Sequence, residues 1–315
     1  MPLPPGQTTF TPDVRQLFQR NILDSLGRAI AALPGPPFQA LREQFGEYRT
    51  AGHYTTIGGK TSADQVALFK SALVRYVDLL DTYMSPGGLC HPSDNFGAVL
   101  AAAEQGKASG EQFMLALAVA YEIQCRFTAA VPVMDKGSSH ATQFAMSATV
   151  ASRKLFSLSA VEIANAIGIA TADNVSLACI HVEPVSRWKG FSPGMTCMRA
   201  VYAVSLSKRG FTGPKGLFEG PKGLEQMFGR QIQVNWEDPL LQFIEQTVLK
   251  KDCSLIHGQP VLEAALDLKR SYRLVAADVE HVSCDIFQAG FDFAGGGGYG
   301  SKDHPWTKEQ GDYNL

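Results

Sequence analysis

The sequence is poor in the features that announce a specialised surface. It has no dense run of Lys or Arg: 28 basic residues stand against 30 acidic ones, for a formal net charge of -2. The electrostatic footprint of a nucleic-acid or anionic-membrane binder is therefore missing. No uninterrupted apolar stretch approaches the ~18–20 residues that cross a bilayer, because windows such as Leu115–Tyr121 are soon broken. The opening Met-Pro-Leu-Pro-Pro-Gly lacks the basic-then-apolar order of a secretory signal, so the expectation is a cytoplasmic protein. Cysteine is sparse as well. Cys90, Cys125, Cys179, Cys197, Cys253 and Cys284 stand singly with no C-x-x-C, which signals neither a disulfide framework nor a zinc or iron–sulfur ligand set. They read as reduced, mostly buried thiols.

Three near-motifs fall short. Gly58-Gly59-Lys60-Thr61 ends like a P-loop, but Tyr54 stands where the first glycine is required and no strand precedes it, so the segment reads as a loop. His181-Val182-Glu183 has no following Pro-Cys-x-x-Cys to complete a zinc deaminase site. The glycine run Gly295–Gly298 lacks the spacing that opens a nucleotide-binding helix and reads as a turn.

What is present is an ordinary globular composition, 45% hydrophobic and 18% charged with mean hydropathy -0.04. The 315 residues suit one large domain or a large and a smaller one. Thr11-Pro-Asp sets a cap and first turn ahead of Leu17, Phe18, Ile22, Leu23 and Leu26 at helical spacing. Loop signals fill residues 35–59. Ser62-x-x-Gln65 then forms a capping box before the stripe Val66, Phe69, Leu73, Val74, Val77. Further helices are expected at about 96–105, 111–129, 141–156, 160–172 behind the box Ser159-x-x-Glu162, 193–209, and after His257. No alternating strand stands out before residue 210. Val279, Val282, Cys284, Ile286 and Phe287, with polar residues between them, suggest one near the end. The expected fold is mainly α: a helical domain over 1–250 that hands over to a smaller α+β domain over 251–315.

The chemically expensive residues sit at helix–loop junctions. Asp78 and Asp81 continue the apolar face of the helix from Ser62, four residues beyond Val74 and Val77, which points carboxylates toward the core. His91 follows in the polar cluster Cys90–Asn95, and His140 precedes the helix from Ala141, where a helix N-terminus favours a bound carboxylate and a neutral imidazole. Trp188-Lys189-Gly190 offers a cation in a turn, and His257 follows Lys250-Lys251. Each of these has an ordinary structural explanation by itself. Together, His, Asp and Lys without a metal-ligand set or a nucleophile signature suit proton transfer on a small polycarboxylate.

Read in order, the segments Arg75-Tyr-Val-Asp78-Leu-Leu-Asp81-Thr82-Tyr83, His91-Pro-Ser-Asp-Asn95, Trp188-Lys-Gly190, Lys250-Lys251 through His257-Gly-Gln259, Gly300-Ser-Lys-Asp-His304 and Thr307-Lys-Glu-Gln310 resemble the MmgE/PrpD family. The aspartate-rich helix end followed by His-Pro-Ser-Asp-Asn is most similar to its 2-methylcitrate dehydratase branch. The resemblance implies a large all-helical domain, a smaller α+β domain that is incomplete here, no metal or organic cofactor, and a homodimer. It places the site on Asp78, His91 and His140 as catalytic residues and on Thr82, Lys189 and His257 as substrate-binding residues. It further implies dehydration of 2-methylcitrate or a similar tricarboxylate, with cis-aconitate decarboxylation or a non-catalytic role in protein association as alternatives. Relatives commonly carry an acidic residue where this chain has Leu255, and a Gly-Phe-x-His form where it has Gly137-Ser-Ser-His140. An incomplete small domain should also expose apolar surface around the expected strand.

Overall fold

Thr11 starts the first helix as its sequence predicts: its hydroxyl accepts the Val14 N–H at 3.2 Å, ahead of Pro12 and Asp13 in the first turn. The computed structural model describes residues 10–47, 54–56, 59–86, 88–131, 133–237, 241–294 and 308–309. By its internal contacts the chain divides into two compact units, one formed by Met1–Ala178 with Gly190–Val248, the other by Cys179–Lys189 with Leu249–Leu315.

The first unit is helical. α1 (Pro12–Ala32) turns Val14, Phe18, Asn21, Ser25, Arg28 and Ala32 inward, while Leu23 is 72% exposed and Leu26 and Ile30 also face outward. The expected apolar stripe is thus only partly the buried face, because the inner side of this helix also carries the polar Asn21, Ser25 and Arg28. α2 (Pro36–Glu47) occupies a segment read as loop; Pro36 and Pro37 stand in its first turn, which needs no backbone donors, and Phe38 packs edge-on against Phe69 and Tyr76. Two hairpins were not foreseen, β1 (Tyr54–Thr56) with β2 (Gly59–Thr61) and β3 (Tyr83–Ser85) with β4 (Gly88–Cys90), both antiparallel. Three-residue strands are too short for alternation to register. The P-loop-like Gly59-Lys60-Thr61 is therefore a strand.

α3 (Ala63–Tyr76) begins after Ser62, but that side chain makes no cap bond, and the Thr61 hydroxyl holds Gln65 instead. α4 (Phe96–Gln105), α5 (Gly110–Ala130), α6 (Ala141–Leu155) and α7 (Ala160–Ala172) lie close to their expected bounds, the box Ser159/Glu162 is closed on both sides, and so is one at Ser109/Gln112. α8 (Trp188–Ser207) starts earlier than expected and runs through Pro193; the short α9 (Leu224–Phe228) follows. The core forms where α3 packs on α4 and α1, and α6 on α5 and α7. Gly97 is required at the first of these crossings: a Cβ there would lie 2.2 Å from the backbone nitrogen of Ser71. By length and composition α5 could cross a membrane, contrary to the reading from uninterrupted runs, but here it is a core helix with Leu117, Tyr121 and Cys125 buried and an ion pair between Glu122 and Arg126.

The second unit holds α10 (Gln259–Tyr272) and α11 (Gln288–Ala294). The strand expected over Val279–Phe287 is absent; the backbone there is irregular, and no ladder partner exists among the described residues of this unit, without which an extended segment gains no strand hydrogen bonds. The described part of this unit is helix and irregular chain rather than α+β. Apolar side chains are exposed along it, including Tyr272, Val275, Val282 (75%), Phe287 and Phe291. The Gly295–Gly298 run and most of the segment 300–310 lie outside the described residues.

Candidate active site

The loop after α3 is organised around one carboxylate. Asp81 is fully buried; its Oδ1 accepts the Ser93 N–H at 3.0 Å, and its Oδ2 accepts the Tyr121 hydroxyl at 2.6 Å and the Asn21 amide at 3.1 Å. These bonds join α1, α5 and the 3-10 turn Pro92–Asn95 to the end of α3. The helix stops at Tyr76, so Asp78 and Asp81 are not on its face. Asp81 is buried because three donors converge on it, which corrects the helical-face argument.

The backbone carbonyl of Asp81 lies 2.8 Å from Nδ1 of the buried His91. A carbonyl only accepts, so Nδ1 carries the proton and a neutral His91 presents Nε2 as its basic nitrogen. The Thr82 hydroxyl sits 3.3 Å from the same Nδ1, and Thr82 is pinned by reciprocal 2.9 Å backbone bonds to Val248.

A second cluster adjoins the first. Asp94, fully buried, has Oδ2 3.4 Å from Arg75 Nη1 and 3.4 Å from His140 Nε2, and Arg75 Nη2 lies 3.4 Å from Asp78 Oδ1. Asp78 adopts a left-handed backbone with φ +57°, a conformation that costs an L-residue roughly 1 kcal/mol and that aspartate tolerates better than most. The His91 and His140 rings meet edge to face, 5.1 Å between centroids. Burial pushes His140 below its ordinary pKa, partly offset by the Asp94 carboxylate, so the imidazole is neutral at neutral pH. Behind the turn, Asn95 donates to Gln124 at 2.6 Å and accepts from the Ser147 hydroxyl at 2.8 Å, which ties it to α5 and α6.

Asp78, Thr82, His91 and His140 are thus brought together in the first unit. Lys189 and His257 belong to the second. Lys189 is half-buried in the first turn of α8, its N–H bonded to the Ser186 carbonyl at 3.1 Å. His257 is buried with its ring stacked on Phe293 and edge-on to Phe287, and burial, with help from the Lys250 charge, holds its pKa below the ordinary value. Sequence reasoning assigned no role to Arg75, Asp94, Tyr121 or Asn21. The spacing of Arg75 three residues before Asp78 was a usable ion-pair signal; nothing local marks Tyr121 or Asn21.

The comparisons with known proteins follow this geometry. The MmgE/PrpD N-terminal domain model matches residues 7–237. The chain belongs to the MmgE/PrpD family. It is 26% identical over 288 residues to the 2-methylcitrate dehydratase of Escherichia coli K12, covering 85% of this chain and 59% of that protein. It is 27% identical over 272 residues to a 2-methylcitrate dehydratase-like protein of Aspergillus oryzae, covering 78% and 54%. A third relative, the 2-methylcitrate dehydratase of Cupriavidus necator, is 25% identical over 242 residues, covering 71% of this chain and 50% of that protein. The chain spans between 50% and 59% of the length of these MmgE/PrpD relatives.

Proposed function

We propose that this MmgE/PrpD chain is a hydro-lyase of the 2-methylcitrate dehydratase type, removing water from 2-methylcitrate or a similar tricarboxylate by acid–base elimination, without a metal or organic cofactor. The observation that carries the reading is the pair of buried histidines at 5.1 Å, with Asp78, Arg75 and Asp94 beside them. Elimination requires a base to take a proton from the carbon next to a carboxylate, a donor to protonate the departing hydroxyl, and groups that bind the carboxylates. A neutral His91 with its proton fixed on Nδ1 supplies the base at Nε2. His140 and Asp78 are the candidates for the donor. Thr82 lies beside His91 for substrate binding, and Lys189 and His257 take the carboxylate-binding roles that the family resemblance gives them.

The test is turnover of 2-methylcitrate and citrate by the full chain, followed as alkene absorbance in the ultraviolet with products separated by chromatography. His91→Ala should lower kcat by roughly 10²–10⁴-fold, the usual contribution of a positioned acid or base. Lys189→Ala should chiefly raise KM. Unchanged turnover in both variants overturns the assignment, and release of carbon dioxide from cis-aconitate with no water elimination overturns dehydration. No product, together with no thermal stabilisation by millimolar tricarboxylates, would overturn the enzymatic reading altogether.

A further inference from the structure

The candidate histidines are adjacent, yet their anchors differ in kind. His91 is held through Nδ1 by a backbone carbonyl. His140 faces a carboxylate through Nε2. We propose that Asp94 is a positioning residue of this site, biasing His140 toward the Nε2–H tautomer beside an Nδ1–H His91, so that the two neighbouring rings carry their protons on different nitrogens.

Placement in the turn is the first argument. Ser93, Asp94 and Asn95 are consecutive and each is fully buried. The Ser93 N–H binds the Asp81 carboxylate, the Asp94 N–H donates to the His91 carbonyl at 3.0 Å, and the Asn95 side chain is locked to Gln124 and Ser147. The Asp94 side chain therefore leaves a rigid backbone, and that backbone also carries His91. Any change in how Asp94 meets His140 is referred directly to the His91 position.

Charge is the second. Arg75 is shared between Asp78 and Asp94 at 3.4 Å each, so Asp94 does not have a cation to itself. Its Oδ1 has no hydrogen-bond partner among the described residues. A buried carboxylate held this loosely adds little net stability, and its position is better accounted for by what it does to His140. The charged or titratable groups facing His140 are Asp94, Arg75, Asp78 and His91. Of these, the two carboxylates favour a proton on the imidazole and Arg75 opposes it. The Asp94 carboxylate, 3.4 Å from Nε2, makes a charge contact rather than a hydrogen bond, and its negative charge favours placing the neutral ring's proton on that nearer nitrogen.

This inference rests on the reading of His140 as a proton-transfer residue, and its test can be separated from that reading. Nitrogen-15 labelling of the seven histidines in the ligand-free full chain, with the signals assigned through His140→Gln and His91→Gln, reports each tautomer directly. The expected result is Nε2–H for His140 and Nδ1–H for His91. In Asp94→Asn, which keeps the shape and removes the charge, the His140 midpoint should move to lower pH while Arg75 remains. The kcat should fall roughly 10- to 100-fold, as for loss of an orienting partner, with KM changed less than about twofold. A purely structural role would leave the midpoint in place. The Nδ1–H form of His140 in the unaltered chain overturns the proposal, as does an Asp94→Asn protein whose titration is unchanged; if that variant does not fold, the tautomer in the unaltered chain decides. Expected tautomers and midpoint shift in a chain that turns over no tricarboxylate would uphold the Asp94 geometry and overturn the function.

Discussion

Tyr121→Phe removes a single hydroxyl from the core, and the structure states what that hydroxyl does. It is 2.6 Å from Asp81 Oδ2, and the residue is 1% exposed. Burial, reinforced by the Asp81 charge, pushes the Tyr121 pKa well above its ordinary value, so the group stays a donor at every workable pH. A hydrogen bond to a charged acceptor contributes about 1.5–3 kcal/mol, which is the expected loss in Tyr121→Phe. Asp81→Ala leaves three donors, Tyr121, Asn21 and the Ser93 N–H, without their acceptor and opens a small void, for an expected loss of roughly 3–5 kcal/mol. In the double variant the hydroxyl has no carboxylate to serve, so adding Tyr121→Phe to Asp81→Ala should cost almost nothing. The predicted coupling is then about 1.5–3 kcal/mol. Urea unfolding of the four proteins, followed by far-ultraviolet circular dichroism, measures it. Additive losses within about 0.5 kcal/mol would refute the account of Asp81 as the organising acceptor.

Gly97→Ala would favour a free helix by about 1 kcal/mol, but the new Cβ would strike the backbone of Ser71, so the chain should lose roughly 3 kcal/mol or more in the same unfolding assay. A stabilised variant would refute the close α3–α4 crossing. Cys179, Cys253 and Cys284 are exposed while Cys90, Cys125 and Cys197 are buried, with burial pushing the Cys197 thiol up to about 12; a thiol reagent should label the first three quickly and the others only on unfolding, as counted by mass spectrometry. His140 and His257 are both held below their ordinary pKa, chiefly by burial. Folding therefore disfavours their protonated forms, and the stability they contribute is present above the unfolded pKa of about 6.5 and lost as pH falls through the lower folded values. Melting temperature should drop between about pH 7 and pH 5, and His257→Gln, which cannot take the proton, should flatten part of that drop. An identical slope in the variant would refute it.

Much of the helical frame was legible because its signals are local. Ser159-x-x-Glu162 closes its cap within four residues, and α4 to α7 follow apolar periodicity that needs no partner to be seen. The segment before β1 misled for an equally local reason. Its prolines and glycines read as loop, yet Pro36 and Pro37 in a first turn are compatible with α2, and what holds that helix is Phe38 against Phe69, Tyr76 and Phe191, residues far along the chain. The expected strand at Val279–Phe287 failed because alternation marks a face but supplies no ladder partner. At the site, Asp78, His91 and His140 could be picked out as costly groups at helix ends.

The sequence by itself determined that the chain is mainly α and which family it belongs to, and it singled out Asp78, His91 and His140 as costly groups, since composition, caps and short motifs are all properties of neighbouring residues. Only the tertiary structure decided how those groups work together. Asn21, Tyr121 and Ser93 meet on Asp81 from segments up to 100 residues apart, and Asp94 meets Arg75 and His140 from two others. A proton's place on a histidine depends on which acceptor faces it, and that acceptor is chosen by packing across the fold, where no local pattern records it.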